Sequence, residues 1–464
     1  MAYDARSQTR ARAGIDTATA RIPRTGPGAA PYGAARARES ARAMLAFPVF
    51  VGVVHWLIVQ VAASLAFRYG TPNPQGTSPP YKNVLGEPTP LTGLGHVLVE
   101  PLRLWDGLWY KLIAEEGYGP LATGGGQAKA AFWPLFPWFM RSGSDITGWP
   151  TEAFGYLVAN VSFVVALVLL YRLVSLDFDR AVARRTLWAI ALFPTSLFFS
   201  AVYTESLFLM LAVGGLLGAR LGNWWMAGLL GALAALTRSY GVLLVIPYAV
   251  LFLQQYKFDV RRWFPNAVAA ALPVLGPIIF AYQLRRVWGD ALAFIHVQEQ
   301  WARFSSTPWG TLRCALYGCS ADVKFLTPKP YPIRGVDWGW VGDLIRNPSW
   351  STFTSGDFRY RFAQSESLEL ISTLLFLALA IVGLRALPLY QSVYLILGLL
   401  IPLFGPSGIH PLMSMPRFGL TLFPIFVMLA LLLKERRVII SVAIASTVLL
   451  ILFTAQFAQW YWVS

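Results

Sequence analysis

The stretch PLRLWDGLWYKLIAEEGYG, residues 101–119, is too charged to cross a bilayer. Yet Trp105, Leu108, Trp109, Leu112 and Ile113 fall at the i, i+3, i+4, i+7, i+8 spacing of one helical face. Pro101 suits a helix start and Gly117 its stop, while Arg103, Lys111 and Glu115 lie largely off the apolar stripe. The pattern predicts an interfacial helix with its tryptophans toward lipid and Asp106 at the membrane surface.

The surrounding chain explains why a membrane should be there. Of 464 residues, 56% are hydrophobic and 13% charged, against about 25% charged in soluble domains. Apolar runs of roughly 17 to 25 residues, each able to span a bilayer, recur from residue 44 onward. They lie near 44–66, 153–174, 186–202, 204–220, 224–237, 240–255, 265–284, 367–385, 388–404, 417–433 and 438–456. The expectation is an all-α polytopic membrane protein with a transmembrane domain over 44–464. The pair within 224–255, interrupted near Arg238, reads equally well as one re-entrant feature.

Residues 1–43 hold eight arginines and three acids among small and polar residues, too little apolar surface to fold alone. They read as a disordered cytoplasmic tail, with a signal peptide as the competing reading. If the spans alternate from an inside tail, most of the +15 net charge collects on the tail's side, the positive-inside pattern. The basic balance therefore calls for membrane lipids and not for nucleic acid. The long segments 67–152 and 285–366 then fall outside, together with Cys314 and Cys319, which could be bridged or free.

The second long segment opens with GDALAFIHVQEQW. Asp290 could cap a helix on which Phe294, Ile295, Gln298 and Trp301 line up, giving a second interfacial helix. Of the four histidines, His55 lies inside the first span and reads as a packed residue.

A charge near the bilayer centre costs about 2.5–3.5 kcal/mol on insertion scales. Glu205 in AVYTES, Arg238 in LTRSYG and Arg417 in SMPRFG all fall at the outer ends of their spans, on the same side as Asp106 and His410. Singly each reads as an interface anchor; as a set they suggest a pocket. Arginines offer a planar fork of donors for phosphate, and a carboxylate can take a proton from a hydroxyl. The chemistry that fits is transfer of a group from a lipid phosphate to an alcohol. The chain has no HExxH, GxSxG elbow, Walker lysine loop or strand-linked GxGxxG.

RLWDGLWYKLIAEEGYG followed by AAFWPLFPWFMR resembles the first-loop signature of the PIG-V family of membrane mannosyltransferases. FPTSLFFSAVYTESLF, ALTRSYG, GDALAFIHVQEQW and SMPRFGLTLFP are similar to that family's later blocks, in the same order. The resemblance implies a GT-C fold, a polyprenyl-phosphate sugar as donor and Asp106 as the catalytic carboxylate. The prokaryotic look of the Arg-, Ala- and Gly-rich tail departs from the eukaryotic members, so their acceptor is not carried over.

On this reading Arg238 and Arg417 hold the donor phosphate, and Trp105, Tyr203, Glu205, Gln298, Trp301 and His410 contact donor or acceptor. No metal or cofactor is required, with a divalent ion between Asp106 and Glu205 as the alternative. The rival function is a transporter or flippase of a lipid-linked or anionic solute, which needs charges at mid-membrane and broken helices. A nonenzymatic scaffold would explain neither the arginines nor the WD helix.

Overall fold

The computed structural model describes residues 34–73, 90–120, 127–257, 259–324, 326–349, 351–352, 355–363 and 366–463. Most of the expected tail (1–33) and the glycine run at 124–126 lie outside them. The chain divides into two units, Met1–Ala41 and Arg42–Ser464. The described part of the first unit is the beginning of a helix, Ala34–Tyr69, so the last ten residues of the expected tail are helical.

Among the described residues, six helices are long and apolar enough to cross a membrane: Met44–Tyr69, Thr151–Asp177, Ser239–Tyr256, Asn266–Trp288, Glu366–Ala386 and Arg436–Ala458. Trp224–Thr237 and Leu389–Phe404 are shorter and equally apolar. The protein is an all-α polytopic membrane protein. Its one described strand pair joins Cys319–Ala321 to Tyr331–Ile333, next to a Cys314–Cys319 disulfide.

Two predicted spans are broken. The span expected over 186–202 is helical only within Arg180–Ala191; after Pro194 it becomes a short 3₁₀ turn, Ser196–Phe199, before the helix Glu205–Arg220 begins. The span expected over 417–433 divides into Met415–Gly419 and Pro424–Leu432. Irregular backbone at membrane depth is tolerated where protein covers it, and Phe198, Phe199, Val202 and Tyr203 are all buried.

The interruption near Arg238 is also real. Arg238 is extended (φ −151°, ψ 145°) between the helix Trp224–Thr237 and the 3₁₀ segment Ser239–Leu244. Gly241 makes this bend fit, because a Cβ there would lie 2.5 Å from the backbone of Ala234. Close helix contact uses the same device: a Cβ at Gly215 would lie 2.0 Å from the Tyr248 hydroxyl oxygen. His55 is packed as expected, its Nδ1 2.7 Å from the Ala191 carbonyl.

The two long loops depart from the predicted interfacial helices. The WD helix spans Asp106–Glu116 and stops at Gly117 (φ 72°), but its apolar stripe does not face lipid: Leu108, Trp109 and Ile113 are buried in protein. Trp109 stacks on Phe132 and meets Trp301 edge-on, with centroids 5.5 and 5.4 Å apart. Segments from both loops thus cover the face that the sequence pattern alone assigns to the membrane. In the second loop, Asp290 accepts a hydrogen bond from Leu292 N (2.9 Å). It does not cap the helix that follows, whose N-cap is Leu292; that helix lasts one turn, Ala293–His296, and continues as 3₁₀ to Trp301. Changing pitch scatters the predicted face: Phe294 packs on Trp133 and Phe280, while Ile295 and Gln298 are exposed.

Candidate active site

Four charged side chains from four places in the sequence meet at the broken helix ends. Arg417 Nη1 lies 2.6 Å from Asp106 Oδ2, and Arg417 Nε 2.6 Å from Glu205 Oε1. Arg238 Nη1 reaches the same Glu205 oxygen at 2.5 Å and donates to Thr204 Oγ1 at 3.1 Å. The order is Asp106–Arg417–Glu205–Arg238, two acids alternating with two bases. Glu205 is fully buried, and its Oε2 has no hydrogen-bond partner among the described residues. Buried charge is retained only when paired, so the cluster is internally neutral yet keeps one acceptor atom open.

Aromatic rings hold the guanidinium groups. Arg417 Cζ sits 4.6 Å from the centroid of Tyr203 and 5.1 Å from that of Phe198; Arg238 Cζ lies 5.3 Å from Tyr240 and 5.6 Å from Phe418. Such faces attract a cation and restrict the planes in which the two forks can turn.

Tyr203 does something the sequence reading did not expect. Its hydroxyl donates to the Leu104 carbonyl (3.1 Å) and accepts from Asp106 N (3.1 Å). It clasps the backbone on both sides of Trp105, and so its polar atom is engaged within the protein. Trp105 itself has φ 57° and ψ −118°, strained for a residue with a side chain. Ser414, which precedes the short helix carrying Arg417, has φ 68°; Ala302, after Trp301, has φ 54°.

Three of the predicted substrate contacts stand apart from the four charges. Trp301 packs against Trp109 and Phe132, Gln298 is exposed and bonds the carbonyl of Phe294, and His410 pairs with Glu366 (3.3 Å) and Glu369 (3.7 Å). His410 is tied to the cluster indirectly, because Glu369 Oε1 accepts from Ser414 N at 3.3 Å. Glu366 and Glu369 escaped the sequence reading because they open an apolar helix and look like interfacial acids. Thr204 sits inside the quoted YTES motif and was passed over between its neighbours.

The fold and site define a membrane protein with a charge cluster at its helix ends, and part of the chain is similar to a known family. The family model described as Mannosyltransferase (PIG-V) matches residues 42–266, a little under half of the chain, and over that stretch the chain is similar to this family. Asp106, Glu205 and Arg238 lie inside the matched stretch; Arg417 lies beyond it. No curated protein sequence matches.

Two solved structures are similar. ArnT from Cupriavidus metallidurans, bound to undecaprenyl phosphate, shares 12% identity at a TM-score of 0.39, covering 90% of this chain and 78% of its own. The oligosaccharyltransferase of Archaeoglobus fulgidus, in complex with zinc and sulfate, shares 16% at a TM-score of 0.41, covering 89% of this chain and 53% of its own. At these scores neither structure bears on the chemistry of this site.

Proposed function

We propose that the protein is an inverting GT-C glycosyltransferase that moves a sugar, mannose by family, from a polyprenyl phosphate to a hydroxyl of a lipid-linked or glycan acceptor, at the extracytoplasmic membrane face. The observation that carries this reading is the Asp106–Arg417–Glu205–Arg238 chain of contacts. It puts a carboxylate and two guanidinium forks, a geometry suited to phosphate, within one cluster.

In the proposed reaction Asp106 takes the proton of the acceptor hydroxyl, whose oxygen attacks the anomeric carbon. The bond from that carbon to the phosphate oxygen breaks, and the electron pair leaves with the phosphate. Arg238 and Arg417 hold the charge that develops there, a contribution that is often the largest in such sites. At rest Arg417 Nη1 is occupied by Asp106. An entering phosphate competes for that donor and leaves the carboxylate able to accept a proton. The arginines supply the positive charge in this scheme, and it includes no cofactor.

The test is purified protein in nanodiscs given labelled undecaprenyl-phosphate mannose and a crude lipid extract. The expected result is a labelled glycolipid or glycan product and a stoichiometric free polyprenyl phosphate. Uptake of label into proteoliposomes with no covalent product would replace this reading with a transporter.

A further inference from the structure

The segment 457–462, FAQWYW, lies just beyond the last span read from the sequence, 438–456. In the structure it turns back onto the charge cluster. Trp460 and Trp462 meet the Trp105 indole edge-on, with centroids 5.7 and 5.2 Å apart. Phe457 packs on Tyr203 and Phe198, at 5.9 and 5.7 Å, the two rings that carry Arg417. The segment is anchored from behind as well: Asn73 N donates to the Gln459 carbonyl (2.8 Å), and Arg359 Nη1 to Gln459 Oε1 (2.9 Å).

We infer that Trp460 and Trp462 are positioning residues for the transfer reaction: they hold Trp105 in its strained backbone conformation and so fix the direction in which Asp106 presents its carboxylate. Asp106 is the first residue of its helix. Its orientation is therefore set by the residue before it as much as by the helix hydrogen bonds that follow. A positive-φ conformation on a tryptophan persists only where its surroundings over-determine it. Here the Tyr203 hydroxyl fixes the backbone on both sides and the two tryptophans fix the side chain. Without them, relaxation at Trp105 swings the carboxylate away from the acceptor oxygen.

The inference rests on Asp106 being the base, and the experiment separates the two. Wild type, Asp106→Asn, Trp460→Ala, Trp462→Ala and Trp462→Phe are compared in nanodiscs with labelled undecaprenyl-phosphate mannose, measuring the number of donor sites, donor Kd and turnover per occupied site. The alanine variants are expected to keep Kd within about twofold and lose about tenfold or more in turnover per site, as small misplacements of a reacting group do. Trp462→Phe, which keeps a ring against Trp105, is expected to return to within about threefold of wild type. A purely structural role would lower the number of sites and leave turnover per site unchanged. Unchanged turnover per site in both alanine variants, beside an inactive Asp106→Asn, overturns the inference and leaves the proposed function standing. Full turnover in Asp106→Asn, or no donor binding by wild type, overturns the proposed function and the inference with it.

Discussion

The helix Glu205–Arg220 carries a charged network at each end, and the two are built differently. At the Arg220 end, Asp177 Oδ1 accepts from Arg220 Nε (2.9 Å), and its Oδ2 accepts from Tyr390 OH and from Gln391 Nε2 (2.8 Å). One carboxylate is shared among residues at ordinary helix ends, and both of its oxygens are used. At the Glu205 end, two acids and two arginines converge on interrupted helices, beside strained backbone at Trp105 and Ser414, and Glu205 Oε2 has no hydrogen-bond partner among the described residues. The first arrangement staples three helices together. The second keeps unspent capacity and stored strain, the combination expected of a site that must bind something else.

The largest expected effect breaks that contrast if it fails. Asp106→Asn should lower turnover about 10²- to 10⁴-fold, the range for a general base, with the fold and donor affinity retained; transfer assays beside thermal unfolding in detergent check both. Arg417→Lys keeps the charge and loses the fork. It should cost about 10²-fold in turnover and weaken donor binding, read from the same assay at varied donor concentration.

At the other end the outcome should invert. Asp177→Asn should lower stability by a few kcal/mol, since each buried bond to a charge contributes about 1.5–3 kcal/mol, while turnover per donor site stays at the wild-type value. Loss of turnover per site in this variant would mean that the two networks are not separate in function.

The smallest effect concerns His410. Burial disfavours its charged form, but the neighbouring carboxylates of Glu369 and Glu366 outweigh this and raise its pKa above 6.5. A group raised in the folded state stabilises fully below its unfolded value and loses that contribution as pH climbs through the folded one. Thermal stability should therefore decline as pH rises above about 6.5, and His410→Gln should remove that part of the slope.

How much of this was legible in the sequence follows from the kind of signal each part leaves. Hydropathy marks apolar runs, so the helices at Thr151–Asp177 and Glu366–Ala386 lay close to where they were read. Charges are rare in such runs, so Asp106, Glu205, Arg238 and Arg417 stood out one by one, and alternation of the spans put them on one side. What hydropathy cannot say is which apolar face meets lipid and which meets protein. Leu108, Trp109 and Ile113 show the ideal interfacial pattern and are buried, Trp109 against Phe132 and Trp301. Nor does it reveal contacts across 300 residues. Trp460 and Trp462 lie past the last apolar span, and only the fold brings them onto Trp105.

The central claim is that phosphate binds at the Glu205 end of the helices and not at the opposite end. The opposite end has its own basic groups: Arg184 lies over the Phe47 ring (4.5 Å), and Arg185 Nη1 bonds the Leu433 carbonyl (2.8 Å) near Lys434, Arg436 and Arg437. The most direct measurement is an experimental structure of the Asp106→Asn protein with undecaprenyl phosphate bound. The account predicts phosphate density in hydrogen-bond reach of both Arg238 and Arg417, with residue 106 released from Arg417. Phosphate seated among Arg184, Arg185 and Lys434, with the four-residue cluster undisturbed, would contradict it.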